Sequence, residues 1–153
     1  MESIITITVA FIAGSFALFQ VKSNIITSSR ISWIESLRET ISLFCMEVDN
    51  CGLSKANMLD LSENEKTGNN FKELYSSYSN SSKEIEKLRN KIALYLNPQD
   101  LNHAKLEVIM NVIVNQVHNP NDQRNETKIH LLKLVDSSRE ILEKEYSKSK
   151  KIL

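Results

Sequence analysis

The residues that could do chemistry in this 153-residue chain are few and scattered. His103, His118 and His130 are its three histidines. His118 and His130 could meet across a turn, but two imidazoles without a carboxylate make an incomplete zinc site. Cys45 and Cys51 are six positions apart. On a helix that spacing is a rise of about 9 Å and a rotation of about 600°, which excludes a disulfide within the helix. Two reduced thiols buried as small apolar groups are expected instead. No glycine-rich phosphate loop, His-Glu-x-x-His motif, nucleophile elbow or framed pair of carboxylates is present. The expectation is a protein that is not an enzyme and uses no metal or cofactor.

Basic residues recur beside aromatics. One group is Arg30, Trp33 and Arg38; a second is Lys83, Lys87, Arg89, Lys91 and Tyr95; a third is Lys144, Tyr146, Lys148, Lys150 and Lys151. Aromatic platforms with nearby cations suit single-stranded nucleic acid. Acids such as Glu84 and Glu86 interleave them, however, which is the pattern of a solvated helix face with charge pairs. The 19 basic and 19 acidic residues cancel, so the chain has no global pull on nucleic acid or anionic lipid. Arg30, Trp33 and Arg38 remain the candidates for ligand binding or coupling.

The element that must position these groups begins at the N-terminus. Ile4 to Val21 reads IITITVAFIAGSFALFQV, without a charge. At about 1.5 Å per residue it reaches about 27 Å, the depth of a bilayer's hydrocarbon core. A cleaved signal would carry a base before the apolar run, and only Glu2 is there. A transmembrane helix over residues 1–22 is therefore expected. Lys22, Arg30 and Arg38 follow it, so the positive-inside rule places the N-terminus outside and the body in the cytoplasm. At about 100° per residue Thr6, Ala10, Ala13, Gly14, Ala17 and Val21 share one side, with Ile5, Thr8, Ile12, Ser15, Phe16 and Phe19 opposite. Ala10/Gly14 and Ala13/Ala17 are small-xxx-small pairs that let helices approach closely in lipid. With Thr6 and Gln20 they are the candidates for helix packing or for lining a pore.

The body reads as all-α, a bundle of about four helices. Three glycines and two prolines are too few for a sheet protein of this length. Residues 23–52 form a juxtamembrane helix with a heptad seam of Ile34, Leu37, Ile41, Phe44, Val48 and Cys51, expected to hold an oligomer together and to end at Gly52. Residues 53–70 are a connection. Residues 71–153 supply the remaining helices. Phe71 to Leu96 carries an apolar face ended by Asn97-Pro98. Asp100 caps a helix with Leu106, Ile109, Ile113 and Val117 on its apolar face. After the Asn119-Pro120-Asn121-Asp122 break, a last helix presents Ile129, Leu132, Val135, Leu142 and Tyr146.

Three stretches together resemble a set of small single-pass bacterial and phage membrane proteins: SRISWIESLRETISLF at 29–44, KIALYLNPQDLNHAKL at 91–106 and SREILEKEYSKSKK at 138–151. That set shares an R-x-x-W-I-x-x-L-R segment just inside the membrane, an L-N-P turn before an H-containing helix, and a final helix with an aromatic beside a glutamate. In length, topology and helical body the chain also resembles the Hailong-type membrane effector of antiphage defence. That resemblance implies a homo-oligomer, with a tetramer favoured, that forms an ion channel in the bacterial inner membrane. It further implies a single-stranded oligodeoxyadenylate ligand that holds the channel closed, made by a nucleotidyltransferase encoded nearby. Two functions are therefore expected to compete: a pore-forming effector gated by a nucleotide or DNA oligonucleotide on its helical body, and a membrane-anchored adaptor whose body binds a cytoplasmic protein.

Overall fold

The computed structural model describes the backbone of residues 2–119 and 124–150, with side chains at 15, 17–119 and 126–150. Four long helices follow one another: α1 (Glu2–Leu59), α2 (Asn69–Tyr95), α3 (Leu101–His118) and α4 (Arg124–Lys150), with one 3-10 turn at Glu65–Thr67. No strand occurs among the described residues, and the all-α bundle is the architecture.

The bundle runs up, down, up and down. α2 returns along α1, since Cys51 faces Tyr78 and Ser54 faces Ser77 at one end while Trp33 meets Tyr95 at the other. α4 also runs against α1: Thr127 and Leu131 border Lys55, and Glu145 reaches Arg30. Sequential helices are neighbours and α1 closes the ring on α4, as short connections require.

α1 is the organising helix. Its 58 residues would extend about 87 Å at the α-helical rise, far longer than its partners. Ile34, Leu37, Ile41, Phe44, Val48 and Cys51 are all buried, with Leu37, Phe44 and Cys51 at 0% exposure. From Leu37 to Cys51 these residues meet Ile85, Leu88 and Ile92 of α2, Leu106, Met110 and Ile113 of α3, and Leu131, Leu134 and Ile141 of α4 in one core. This corrects the expected oligomer seam. The heptad at Ile34, Leu37, Ile41, Phe44 and Val48 is consumed inside its own chain, because a step of three and four suits any helical partner, including one supplied by the same polypeptide.

Two further expectations change. α1 passes through Gly52 and ends at Leu59, so the connection starts at Asp60. Gly52 has no positive φ and no neighbour within 4 Å of a built Cβ, so nothing local makes it a stop. On α4 the buried positions are Thr127, Leu131, Leu134, Ser137, Ser138, Ile141 and Ser149, whereas Ile129, Leu132 and Tyr146 are exposed. Small polar residues hold core positions there, and Ser138 satisfies its hydroxyl on the Leu134 carbonyl at 2.6 Å.

Toward its N-terminus α1 becomes largely exposed among the described side chains, although Ser23 is still buried. Leu18, Phe19, Val21 and Ile25 are 55–73% exposed. Among the described residues no helix is long and apolar enough to cross a membrane. The side chains of residues 4–14 and of Phe16, most of the apolar run, lie outside the described set. So do those of Thr6, Ala10, Ala13 and Gly14, together with residues 120–123 and 151–153.

Gly52→Ala fills open space in a helix interior and should stabilise the full-length chain by about 0.5–1 kcal/mol. Phe44→Ala should cost about 3–5 kcal/mol. Urea unfolding in mild detergent measures both, as midpoint shifts at constant slope. A destabilised Gly52→Ala would show that the position is packed.

Candidate functional site

The lower end of the bundle, where α1 leaves it, gathers polar contacts from all four helices. Trp33 lies on α1 because the Arg30–Leu37 stretch must aim one side at the core. Its indole Nε1–H donates to the Tyr95 carbonyl at 3.2 Å, giving a partner to the last residue of α2. Its ring stacks on His103 with centroids 6.3 Å apart and planes 22° from parallel. His103 is buried, and its Nδ1 accepts the Asn97 backbone N–H at 2.8 Å. Asn97 Oδ1 in turn accepts from Gln99 N–H at 3.0 Å. The α2–α3 turn is thus held to α1 by one aromatic stack and a chain of hydrogen bonds.

Asp100 caps α3 by accepting the Asn102 N–H at 2.9 Å, and takes the Lys144 ammonium of α4 at 2.8 Å. The Lys144 bond first, and the Asn102 N–H second, hold its carboxyl down to about 2. Arg30 pairs with Glu145 of α4 at 3.7 Å. Lys148 also bonds Glu145. All four helices are therefore pinned at the exit of α1.

Arg38 stands elsewhere. It pairs with Glu35 on its own helix, at 2.9 and 3.0 Å. It also rims a groove of about 340 Å³ between α1 and α4, lined by Ile41, Ser42, Cys45, Val135, Ser138 and Leu142, with Arg139 on the opposite rim. Arg139 reaches Asp136 at 3.4 Å. Each guanidinium is matched by a carboxylate of its own helix, so the groove has a charge-balanced rim over a largely apolar floor. A second cavity of about 230 Å³ lies at the upper end, between Gly52, Lys55, Ala56, Val117, Thr127 and Leu131.

The three coupling candidates therefore do not form one site. Arg30 and Trp33 are structural ties at the base, and only Arg38 faces a groove. Arg139, Val135 and Leu142 were not singled out for this role by their sequence pattern. They lie about a hundred positions from Arg38, and no periodicity links helices that distant. Ala17 and Gln20 are exposed on the N-terminal part of α1. Cys45 and Cys51 are free, and burial pushes each thiol up to about 11, aided at Cys45 by Asp49. Both are poor nucleophiles near neutral pH. His118 meets Glu86 at 3.5 Å and His130 Nδ1 meets its own Glu126 carbonyl at 3.0 Å. Among the described residues no three His, Cys, Asp or Glu side chains are grouped to hold a metal.

No family model, no curated protein and no solved structure matches the chain.

Two outcomes test the base cluster. Trp33→Phe leaves the Tyr95 carbonyl without its donor and should cost about 1–3 kcal/mol in far-UV unfolding. The Asp100 carboxyl titrates lower in the folded chain than in the unfolded one, so its contribution is complete above the ordinary carboxyl range and disappears as pH falls from about 4 to about 2. Asp100→Ala should therefore be less stable than the parent at pH 7 and converge with it near pH 2. A gap that persists unchanged across that range would assign the effect to something other than the Lys144 pair.

Proposed function

We propose that the chain is an oligomeric channel effector of bacterial antiphage defence, anchored in the inner membrane by residues 4–21 with its helical body in the cytoplasm. The observation that carries this reading is the single helix α1, which passes without a break from the apolar N-terminal segment into the core of the bundle. A flexible linker would have made the apolar segment a mere tether. A continuous helix transmits rotation and displacement of the body directly to that segment. One helix cannot enclose a pore, so the reading requires several copies around an axis, four being the number that the sequence resemblance implies. This reading assigns the ligand it implies, a nucleotide or a single-stranded oligodeoxyadenylate made by a nearby nucleotidyltransferase, to the Arg38–Arg139 groove. Phosphate contacts to Arg38 and Arg139, in place of their pairs with Glu35 and Asp136, and apolar contact of a base with Ile41, Val135 and Leu142 support this reading.

A second reading is favoured by one observation. The seam from Ile34 to Val48 is spent on the chain's own core, as it would be in a membrane-anchored adaptor that works as a single bundle. The adaptor reading leaves the apolar segment as an anchor and gives the exposed helix faces to a protein partner.

The mass of the full-length protein in mild detergent, with and without short oligodeoxyadenylate, together with ion release from vesicles, separates the two. The channel reading expects several copies per particle, vesicle release, and suppression of release by the oligonucleotide. Arg139→Glu, in a residue outside the core, should weaken that suppression by at least tenfold. Replacement of residues 1–21 by an unrelated span should abolish release. A monomer that never permeabilises vesicles, and keeps its activity in cells after that replacement, would leave the adaptor.

A further inference from the structure

Of the three histidines only His103 is buried, at 8% exposure. Its Nδ1 accepts the Asn97 backbone N–H at 2.8 Å. A ring nitrogen that accepts carries no proton, so this imidazole is the neutral tautomer with its hydrogen on Nε2. A second proton has only Nδ1 to go to. There it would face the Asn97 N–H donor to donor, and a buried charge would replace a made hydrogen bond. The same ring stacks on Trp33 of α1, with centroids 6.3 Å apart and planes 22° from parallel. Trp33 in turn donates its indole N–H to the Tyr95 carbonyl at 3.2 Å. The tie between the α2–α3 turn and α1 therefore runs through the neutral form of one imidazole.

We propose that His103 is a proton-operated latch: protonation at Nδ1 releases the Asn97 N–H and loosens the α2–α3 turn from α1 at the level where α1 leaves the bundle. The charged groups at this level decide what the cation meets. Asp100 precedes His103 by one turn of α3 and is paired with Lys144 of α4 at 2.8 Å. Its carboxyl is held down to about 2 by the Lys144 bond first, then by the Asn102 N–H, and last by a charge on His103. A cationic ring thus has a carboxylate to turn toward, in competition with Lys144. Glu145 of α4 is already engaged by Arg30 of α1 and by Lys148. Tyr95 of α2 offers its carbonyl to Trp33, and Glu107, one turn after His103 on α3, is exposed. Leu106, beside it, is fully buried in the core, so release of the turn is local and the bundle stays closed above it. The latch works in the same way in a channel or in an adaptor.

The test is a titration of the full-length protein in mild detergent from about pH 8 to about pH 5, the range in which imidazoles change charge. Trp33 is the single tryptophan, so its emission reads the stack. Nuclear magnetic resonance follows the His103 ring nitrogens and the Asn97 amide, and far-UV circular dichroism follows the helices. A bare Nδ1 is expected at the alkaline end. On acidification the His103 nitrogens, the Asn97 amide and the Trp33 emission should move together, reversibly and without loss of helix. His103→Asn keeps an acceptor oxygen near the place of Nδ1 and takes up no proton there, so the step at Asn97 and Trp33 should vanish. The double variant His118→Gln, His130→Gln should keep it. A proton on Nδ1 at the alkaline end overturns the proposal. So does a His103 titration that leaves Asn97 and Trp33 unmoved, the absence of any His103 titration in the range, a step that survives His103→Asn, or a step that coincides with loss of helix. The measurements on the parent protein decide the question even if His103→Asn does not fold.

Discussion

Everything in this fold hangs on one face of one helix. The side of α1 from Ile34 to Cys51 is the common floor on which α2, α3 and α4 are laid, and its central side chains are fully withdrawn from water. Each such side chain is worth about 1.5–3 kcal/mol of burial. Without that floor, α2–α3 and α3–α4 would be helical hairpins with half a core each. The alternating step of three and four holds the floor straight against its neighbours over five turns, which is also why α1 cannot turn about its axis without exposing the whole row.

Small polar residues set how closely the helices approach. Ser54 meets Ser77 at 3.0 Å across α1 and α2, and Thr40 returns its hydroxyl to the Ser36 carbonyl at 2.7 Å. Each hydroxyl is satisfied locally, so it fills a narrow gap without the penalty of an orphaned polar group. At the exit of α1 the bonding changes character. There the Trp33–His103 stack, the Asp100–Lys144 pair and the Arg30–Glu145 pair tie all four helices at one level. The helix therefore leaves the bundle in a fixed direction and not as a swivelling stalk.

Much of this was legible in the residues. The helix count, the faces of α2 and α3, the Asp100 cap and the two free thiols, of which Cys51 is buried and Cys45 half-buried, follow from spacing and from breakers such as Asn97-Pro98. Where the reading of residues failed, it failed for physical reasons. A heptad announces a helical partner without saying whose, so Ile34 to Val48 passed for an oligomer seam. Gly52 resembled a stop because glycine is rare in helices, yet α1 carries it through on the strength of flanking core contacts. The face of α4 was missed by about one position because Ser137, Ser138 and Thr127 hold core places that a search for apolar residues skips. The Arg38–Arg139 groove had no signal at all, since it arises only when the first and last helices pack.

These magnitudes decide how the molecule could switch. Sliding or rotating α1 within its own bundle would uncover Leu37, Phe44 and Cys51 together, at a cost of several kcal/mol from burial alone. The coupling free energy that a bound effector typically supplies is about 1–3 kcal/mol. A ligand in the α1–α4 groove is therefore too weak to move α1 against its partners, and it can bias only states that leave the core intact. Such states differ in how whole bundles sit on one another, with α1 carried as a rigid part of each. On the channel reading, the moving contact is accordingly the one between copies, and the apolar segment follows because no joint separates it from the body.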